Sequence, residues 1–307
     1  MSSYRLPDSL RKNKLIVITG PTASGKTGAA ISVAKALGTE IISADSRQIF
    51  RDLPIGTAAP APEELAEVPH HFIGTHSLEE YFSAAEFETQ AVKLIENLSP
   101  VSVLAGGSVM YIDAVCNGID EIPTISEENR ARAIAIWKSG GLQKLRLELL
   151  ELDPVYYRQV DLNNHKRLVH ALEIIYQSGC PYSSLRTGIR KERNFDILKY
   201  ALDLQREELF RRINLRTEKM IRQGFVEEAR KVYPFRHLNA LNTVGYKELF
   251  SFFDGEMSLD EAVARIQKNT RVYAKKQLTW LKRDPSVRWI SPENAADTIL
   301  RDFTNSL

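Results

Sequence analysis

The sequence predicts an α/β fold, a parallel sheet with helices on both faces, interrupted by an all-helical insertion. Three observations predict it. Apolar strand-like runs alternate with helical spacing through the first hundred residues. A glycine-containing turn, "GPTASGKT" (20–27), joins the first such run to the first helical one. Between Glu127 and Gln177 every strong periodicity is helical. Alternating strands and helices bring strands side by side in one direction, with the helices covering them.

Taken in order, "KLIVIT" (14–19) reads as a buried strand and "KTGAAISVAKAL" (26–37) as the helix after it. "TEIIS" (39–43) is a second strand, and a Pro-rich loop follows from about Pro54 to Pro69. "SAAEFETQAVKLIENL" (83–98) has helical spacing, and "VSVLAGG" (101–107) is a strand ending in two glycines. The helical runs "ENRARAIAIW", "LQKLRLELLEL" and "HKRLVHALEIIYQ" build an insertion over 118–194. The strand-like "DILKYALDL" (196–204) then returns to the sheet, so 1–117 and 195–307 form the core. A long helix, "REELFRRINLRTEKMIRQG" (206–224), stops at Gly224 in the C-cap position. The rest is helical up to a short "VRWI" and a last helix from about Glu293.

The 307 residues are 43% apolar, 26% charged and 8% aromatic, the balance of a folded globular chain. No apolar run approaches the ~20 residues of a membrane helix. The N-terminal "MSSYRLPDSLRKNK" lacks the apolar centre of a secretory signal. Cys116 and Cys180 have no zinc spacing, so a reduced cytoplasmic setting is expected, with each cysteine a packed small side chain. Net charge is only +2, yet "AVARIQKNTRVYAKKQLTWLKR" (262–283) carries seven basic residues and no acidic one. Such a run is either a solvated helix face or a surface for a polyanion.

"GPTASGKT" fits G-x-x-x-x-G-K-[ST] between a strand and a helix, the context of a P-loop NTPase-like core. Gly20, Pro21, Thr22, Ala23, Ser24, Gly25, Lys26 and Thr27 are the expected diphosphate cradle. Its N–H groups point inward, the helix terminus and Lys26 add positive charge, and Thr27 is placed to hold Mg²⁺. No N-K-x-D segment is present to read a guanine, and "VSVLAGG" ends in glycines where a motor-type ATPase needs a carboxylate. Small-molecule kinases and their relatives remain. Asp45 follows the second strand at its C-terminal end, where open α/β sheets bind ligands. It can accept a proton from a nucleophile or cap the turn at "SRQIF", and the two roles are compatible.

"GPTASGKT", "ADSRQIF", "IGTAAP", "VPHHFIG", "VLAGGSVMYI", "TVGYKEL" and "TRVYAKKQLTWLKR" together resemble, in order and spacing, the tRNA dimethylallyltransferases, or tRNA isopentenyltransferases. The resemblance runs from about Leu15 to Arg283. It implies that the diphosphate is dimethylallyl diphosphate. The acceptor would be N6 of adenosine 37, 3′-adjacent to the anticodon, in tRNAs reading codons that begin with U. The product would be N6-isopentenyladenosine, with pyrophosphate released. Asp45 would be the base, and the N–H groups of 21–27, Lys26, Mg²⁺ on Thr27 and Arg216 would stabilise the leaving group. The adenine would be drawn out of the anticodon loop into a pocket.

Further contacts to the tRNA anticodon stem-loop are implied for Asp45, Ser46, Arg47 and Gln48, for Ser108, and for Arg130. Asn163, Asn164, His165, Lys166 and Arg167 match the stretch by which the insertion would grip tRNA. Lys275, Lys276, Gln277 and Lys282 of the basic segment are expected on RNA phosphates, and Tyr273 and Trp280 in packing. A cytoplasmic monomer is expected. Five positions depart from the family pattern: Ala59 replaces lysine, Ser108 threonine, Val109 glycine, Asn164 aspartate and His170 arginine. A metabolite or nucleotide kinase would share the cradle without needing "DSRQ" or the basic segment. A tRNA-binding paralogue of reduced activity would keep the basic segment.

Overall fold

At the middle of the sheet lies "NKLIVIT", apolar at every position from Leu15 to Ile18 because both of its faces are covered. The computed structural model describes residues 12–98 and 100–306, and the N-terminal run 1–11 lies outside them. Strand β1 (Asn13–Thr19) leads to α1 (Lys26–Leu37), β2 (Ile41–Ser43), α2 (Pro62–Glu67), β3 (His70–His71), α3 (Ala84–Asn97), β4 (Val101–Ala105) and α4 (Val109–Asn117). Helices α5 (Glu127–Leu152), α6 (Pro154–Tyr157), α7 (His165–Ser178) and α8 (Tyr182–Leu185) follow. The chain then forms β5 (Phe195–Leu202), α9 (Arg206–Arg222), α10 (Phe225–Val232), α11 (Tyr246–Phe253), α12 (Leu259–Leu281), β6 (Val287–Ile290) and α13 (Ala295–Asn305).

The six strands are all parallel, in the order β3-β2-β4-β1-β5-β6. The pleat sends Ile16 and Ile18 to one face, against Val33 and Leu37 of α1 and Phe303 of α13. Leu15 and Val17 go to the other, against Phe87 and Ile95 of α3 and Val115 of α4. Chain order places β2, β3 and β4 on one side of β1 and the later β5 and β6 on the other. The strand order therefore reverses between β1 and β4. A crevice opens at their carboxyl ends, the position where such sheets take ligands.

Two short elements, α2 and β3, interrupt what the sequence marks as one Pro-rich loop and its sequel. Strand β3 has two residues and pairs only with β2, too short for any period to register. Gly224 has φ +97 and follows the C-cap Gln223, so it turns the chain from α9 into α10. Helices α9 to α12 pack on Ile49 and Leu53 through Met220, Phe225, Tyr246 and Ile266, a core outside the sheet.

The chain divides into two units, Met1–Cys116 with Glu192–Leu307, and Asn117–Lys191. The return to the sheet unit comes at 192, earlier than the expected 195. The reason is Arg193, whose Nε donates to Val115 O at 2.8 Å and whose Nη2 meets Glu88 at 2.7 Å. The second unit is all helical and has its own core, including Leu145, Leu149, Leu168 and Leu172. Its long α5 bends at Gly141, where φ is +57.

Cys116 is buried, which pushes its thiol up to about 11. Cys180 is exposed, against the expectation of a packed side chain, because it sits in the turn after α7. Among the described residues no helix is long and apolar enough to cross a membrane.

Phe87 is fully buried and stacks on Tyr111 at a centroid distance of 4.3 Å. Phe87→Ala is expected to lower stability by ~3–5 kcal/mol, read as a shift in the urea midpoint, because the cavity lies between α3 and the sheet.

Candidate functional site

The cradle begins where β1 ends. Gly20 (φ +145) and Gly25 (φ +97) turn the loop, and Ala23 sits at φ +65, a conformation unfavourable to a residue with a Cβ. Lys26 Nζ donates to Gly20 O at 3.1 Å and to Pro21 O at 2.7 Å. Ser24 Oγ is buried with no hydrogen-bond partner among the described residues. Not every expected N–H faces inward. Pro21 has none, Thr22 N donates to Gln277 Oε1 at 2.9 Å, and Ser24 N donates to Pro21 O at 3.3 Å. The N–H groups of Ala23, Gly25, Lys26 and Thr27 remain for an anion. They cluster at the start of α1, whose first turn leaves its donors free.

Two cavities flank this loop. One, of about 430 Å³, is lined by residues 22–28 with Ser43, Gln48, His70, Arg212 and the glycines after β4. The other, of about 330 Å³, is lined by Ser46, Arg47, Ser108, residues 242–245, Lys247 and Thr270. Thr22, Asp45, Arg216 and Tyr273 border both. Asp45 thus stands at a junction with the phosphate loop on one side and a second polar cavity on the other.

The Asp45 carboxylate is held by its own turn. Oδ1 accepts from Arg47 N at 2.9 Å and Gln48 N at 3.3 Å, so the capping role is real and Oδ2 is left for other work. Arg216 Nη2 donates to Thr57 O at 3.4 Å. Desolvation lowers the Arg216 guanidinium from its ordinary value and Asp45 opposes this. Lys26 is lowered too, by desolvation and then by Arg216, to about 7, with Asp45 opposing. Burial likewise lowers Arg47, against the opposing pull of Tyr111 and Asp45. Gln48 is tied up in backbone contacts, Nε2 donating to Thr57 O at 3.3 Å and Ala58 O at 3.0 Å. That makes it a brace for the 55–58 loop more than a reader of bases.

Four residues gain a place that the sequence did not assign. Arg212 lines the cradle cavity, with Nη1 3.9 Å from where a Gly25 Cβ would lie and Nε on Glu208 at 2.6 Å. Its signal was its position one turn before Arg216 on α9. Tyr273, expected in packing, is 45% exposed and borders both cavities. It lies one turn before Gln277 on α12, a spacing that puts both on one face. Glu228 is buried and accepts from Ile55 N and Gly56 N at 2.7 Å each and from Tyr246 OH at 2.6 Å, fixing the loop that meets Arg216 and Gln48. Nothing local in the sequence marks it. Gln277 is buried and spent on backbone, which removes it from the expected RNA contacts.

The side chains of Lys275 and Lys276 on α12 and of Lys282 at its C-cap are exposed, with Lys275 Nζ 5.6 Å over the Phe210 ring. Arg271 turns inward onto Asn214 Oδ1 at 2.6 Å. In the helical unit Arg130 lies 3.8 Å from Glu173. Asn163 Oδ1 accepts from Arg146, and Asn164 caps α7 by accepting from Arg167 N. His165 stacks on Trp137 at 4.4 Å, and Lys166 and Arg167 are exposed.

Parallel strands, a glycine-framed loop at the reversal point and a carboxylate across from it define a P-loop-type α/β protein, with free N–H groups aimed into one cavity and a second cavity beside it. The family model described as IPP transferase matches residues 48–284. A protein named tRNA dimethylallyltransferase 2 from Parabacteroides distasonis is 53% identical over 92% of this chain and 95% of its own. Another, named tRNA dimethylallyltransferase 1, from Phocaeicola vulgatus, is 50% identical over 95% of this chain and 97% of its own. The solved structure of a tRNA isopentenylpyrophosphate transferase from Bacillus halodurans matches with a TM-score of 0.68 and 33% identity, covering 96% of each chain. The chain belongs to the IPP transferase family.

A diphosphate ester beside Lys26 favours its charged form, whereas burial and Arg216 favour the neutral one. At pH 8 binding is therefore expected to take up close to one proton, and at pH 6, where Lys26 is already charged and the diphosphate itself carries part of a proton to give up, net uptake should vanish or reverse. Calorimetry in buffers of differing ionisation enthalpy reads this directly, and Lys26→Met should abolish the uptake.

Proposed function

We propose that this protein transfers a dimethylallyl group from dimethylallyl diphosphate to N6 of adenosine 37 in tRNA, releasing pyrophosphate. The observation that carries the reading is the junction at Asp45, with a diphosphate cradle on one side and a second cavity on the other. The diphosphate lies on the N–H groups of Ala23, Gly25, Lys26 and Thr27, with its prenyl carbon toward Asp45. The adenine, drawn out of the stacked anticodon loop, enters through the second cavity beside Ser46, Arg47 and Ser108.

N6 attacks the first prenyl carbon, the C–O bond to the diphosphate breaks, and the N6 proton passes to Asp45. Oδ1 is already engaged by two N–H groups, so Oδ2 is the accepting atom. Lys26, Arg212 and Arg216 face the charge that grows on the departing oxygen. The residues suit Mg²⁺ too. Thr27 lies in the first turn of α1 on the cavity wall. Magnesium characteristically binds through one or two protein oxygens plus substrate phosphates. It would supply further neutralisation of the leaving group.

Arg130 and residues 163–167 of the helical unit, with Lys275, Lys276 and Lys282, take phosphates of the anticodon stem-loop, in a protein that works as a cytoplasmic monomer. With labelled dimethylallyl diphosphate, Mg²⁺ and unmodified tRNA, single-turnover transfer to adenosine 37 is expected. Asp45→Asn keeps the hydrogen bonds to Arg47 N and Gln48 N but removes the base, and should cut the rate ~10²–10⁴-fold. No transfer, alongside ATP-dependent phosphorylation of a small molecule, would replace this reading with a kinase.

A further inference from the structure

Gln277 is the point where the basic helix α12 reaches into the sheet. It is 4% exposed, although Lys275 and Lys276 just before it are open to solvent. Its Oε1 accepts from Thr22 N at 2.9 Å and its Nε2 donates to Gly107 O at 2.8 Å. An N–H requires an acceptor and a carbonyl a donor, so only one orientation of the amide satisfies both. The two partners belong to the loops after β1 and after β4, the pair of strands between which the sheet order reverses. Gly107 makes room for the contact, since a Cβ there would come within 2.6 Å of Nε2.

We propose that Gln277 is a positioning residue of the diphosphate cradle, selecting which loop N–H groups face the ligand, and not a contact to tRNA. The inference rests on the diphosphate chemistry proposed above. A loop of this kind converges its N–H groups on one point. Gln277 withdraws Thr22 N–H from that set and turns it into the protein. What is left for the ligand is the group at the start of α1, and the tie to Gly107 holds the loop against β4 at a fixed distance. An isosteric apolar side chain keeps the volume but frees Thr22 N–H to swing inward and strands the Gly107 carbonyl. A carboxylate keeps the acceptor, sets its second oxygen against the Gly107 carbonyl, and adds negative charge beside the diphosphate.

The test is a pair of titrations on the full chain, inorganic pyrophosphate with Mg²⁺ by calorimetry, and an unmodified anticodon stem-loop by filter binding without pyrophosphate. Gln277→Met should weaken pyrophosphate ~10–30-fold, Gln277→Glu more, while stem-loop affinity stays within about twofold. Lys276→Met should show the opposite pattern, weakening the stem-loop and leaving pyrophosphate unchanged. Gly107→Ala displaces the same amide without altering Gln277, and should reproduce the pyrophosphate defect if Gln277→Met does not fold. The KM for dimethylallyl diphosphate should rise with the pyrophosphate Kd while the KM for tRNA holds. A Gln277→Met protein that binds pyrophosphate as wild type does, or loses stem-loop affinity instead, overturns the proposal. A wild type that binds no pyrophosphate overturns the diphosphate reading itself.

Discussion

A backbone turn that points several N–H groups at one spot cannot satisfy those groups from within, so its shape must be imposed from outside. In this protein the imposition comes from three directions. Parallel strands β1 and β4 end side by side, α1 begins at Lys26, and the Gln277 amide joins the loops after the two strands. Backbone strain is stored there as well, in Ala23 at φ +65, and among the described residues the buried Ser24 hydroxyl has no partner.

Asp45 is the carboxylate that bears on both buried cations of the cradle, while Arg212 is paired with Glu208 and Glu64 lines the same cavity. Loss of solvation lowers both Lys26 and Arg216, Arg216 lowers Lys26 further, and Asp45 opposes the shift of each. A carboxylate that both steadies the cations and borders the second cavity is suited to proton transfer coupled to departure of a diphosphate. Its geometry is set by a short turn, and that turn is braced through Gln48, Thr57 and finally Glu228, whose partners are Ile55, Gly56 and Tyr246. Side chains well away from the reacting atoms therefore bear on where Asp45 stands.

The parts legible in the sequence were those with a local period or a fixed spacing. β1 and α1 announce themselves by an apolar run and by 3.6-residue periodicity, and the cradle by its glycines and Lys26. Asp45 was legible because it follows a strand directly. Strand β3 was hidden because two residues carry no period. Composition is silent on which turn ends at the surface, so it does not place Cys180 there. On α12 the charge run is plain, but it does not show that Tyr273 and Gln277 line the cradle cavity. The charge run marks the solvent side of a helix without saying what its other side meets.

By itself, the sequence determined that strands and helices alternate, that a helical segment interrupts them, and that a diphosphate loop precedes α1. Local interactions suffice for these, since each depends on residues within a few positions of one another. Only the tertiary structure decided that Gln277 meets Thr22 across 255 positions of chain, and that Glu228 holds Ile55 across 173. Only it decided that Arg212, Arg216 and Tyr273 share walls with Asp45. Such contacts follow from strand order and helix packing, which depend on the burial of many residues at once, and no short stretch of sequence encodes them.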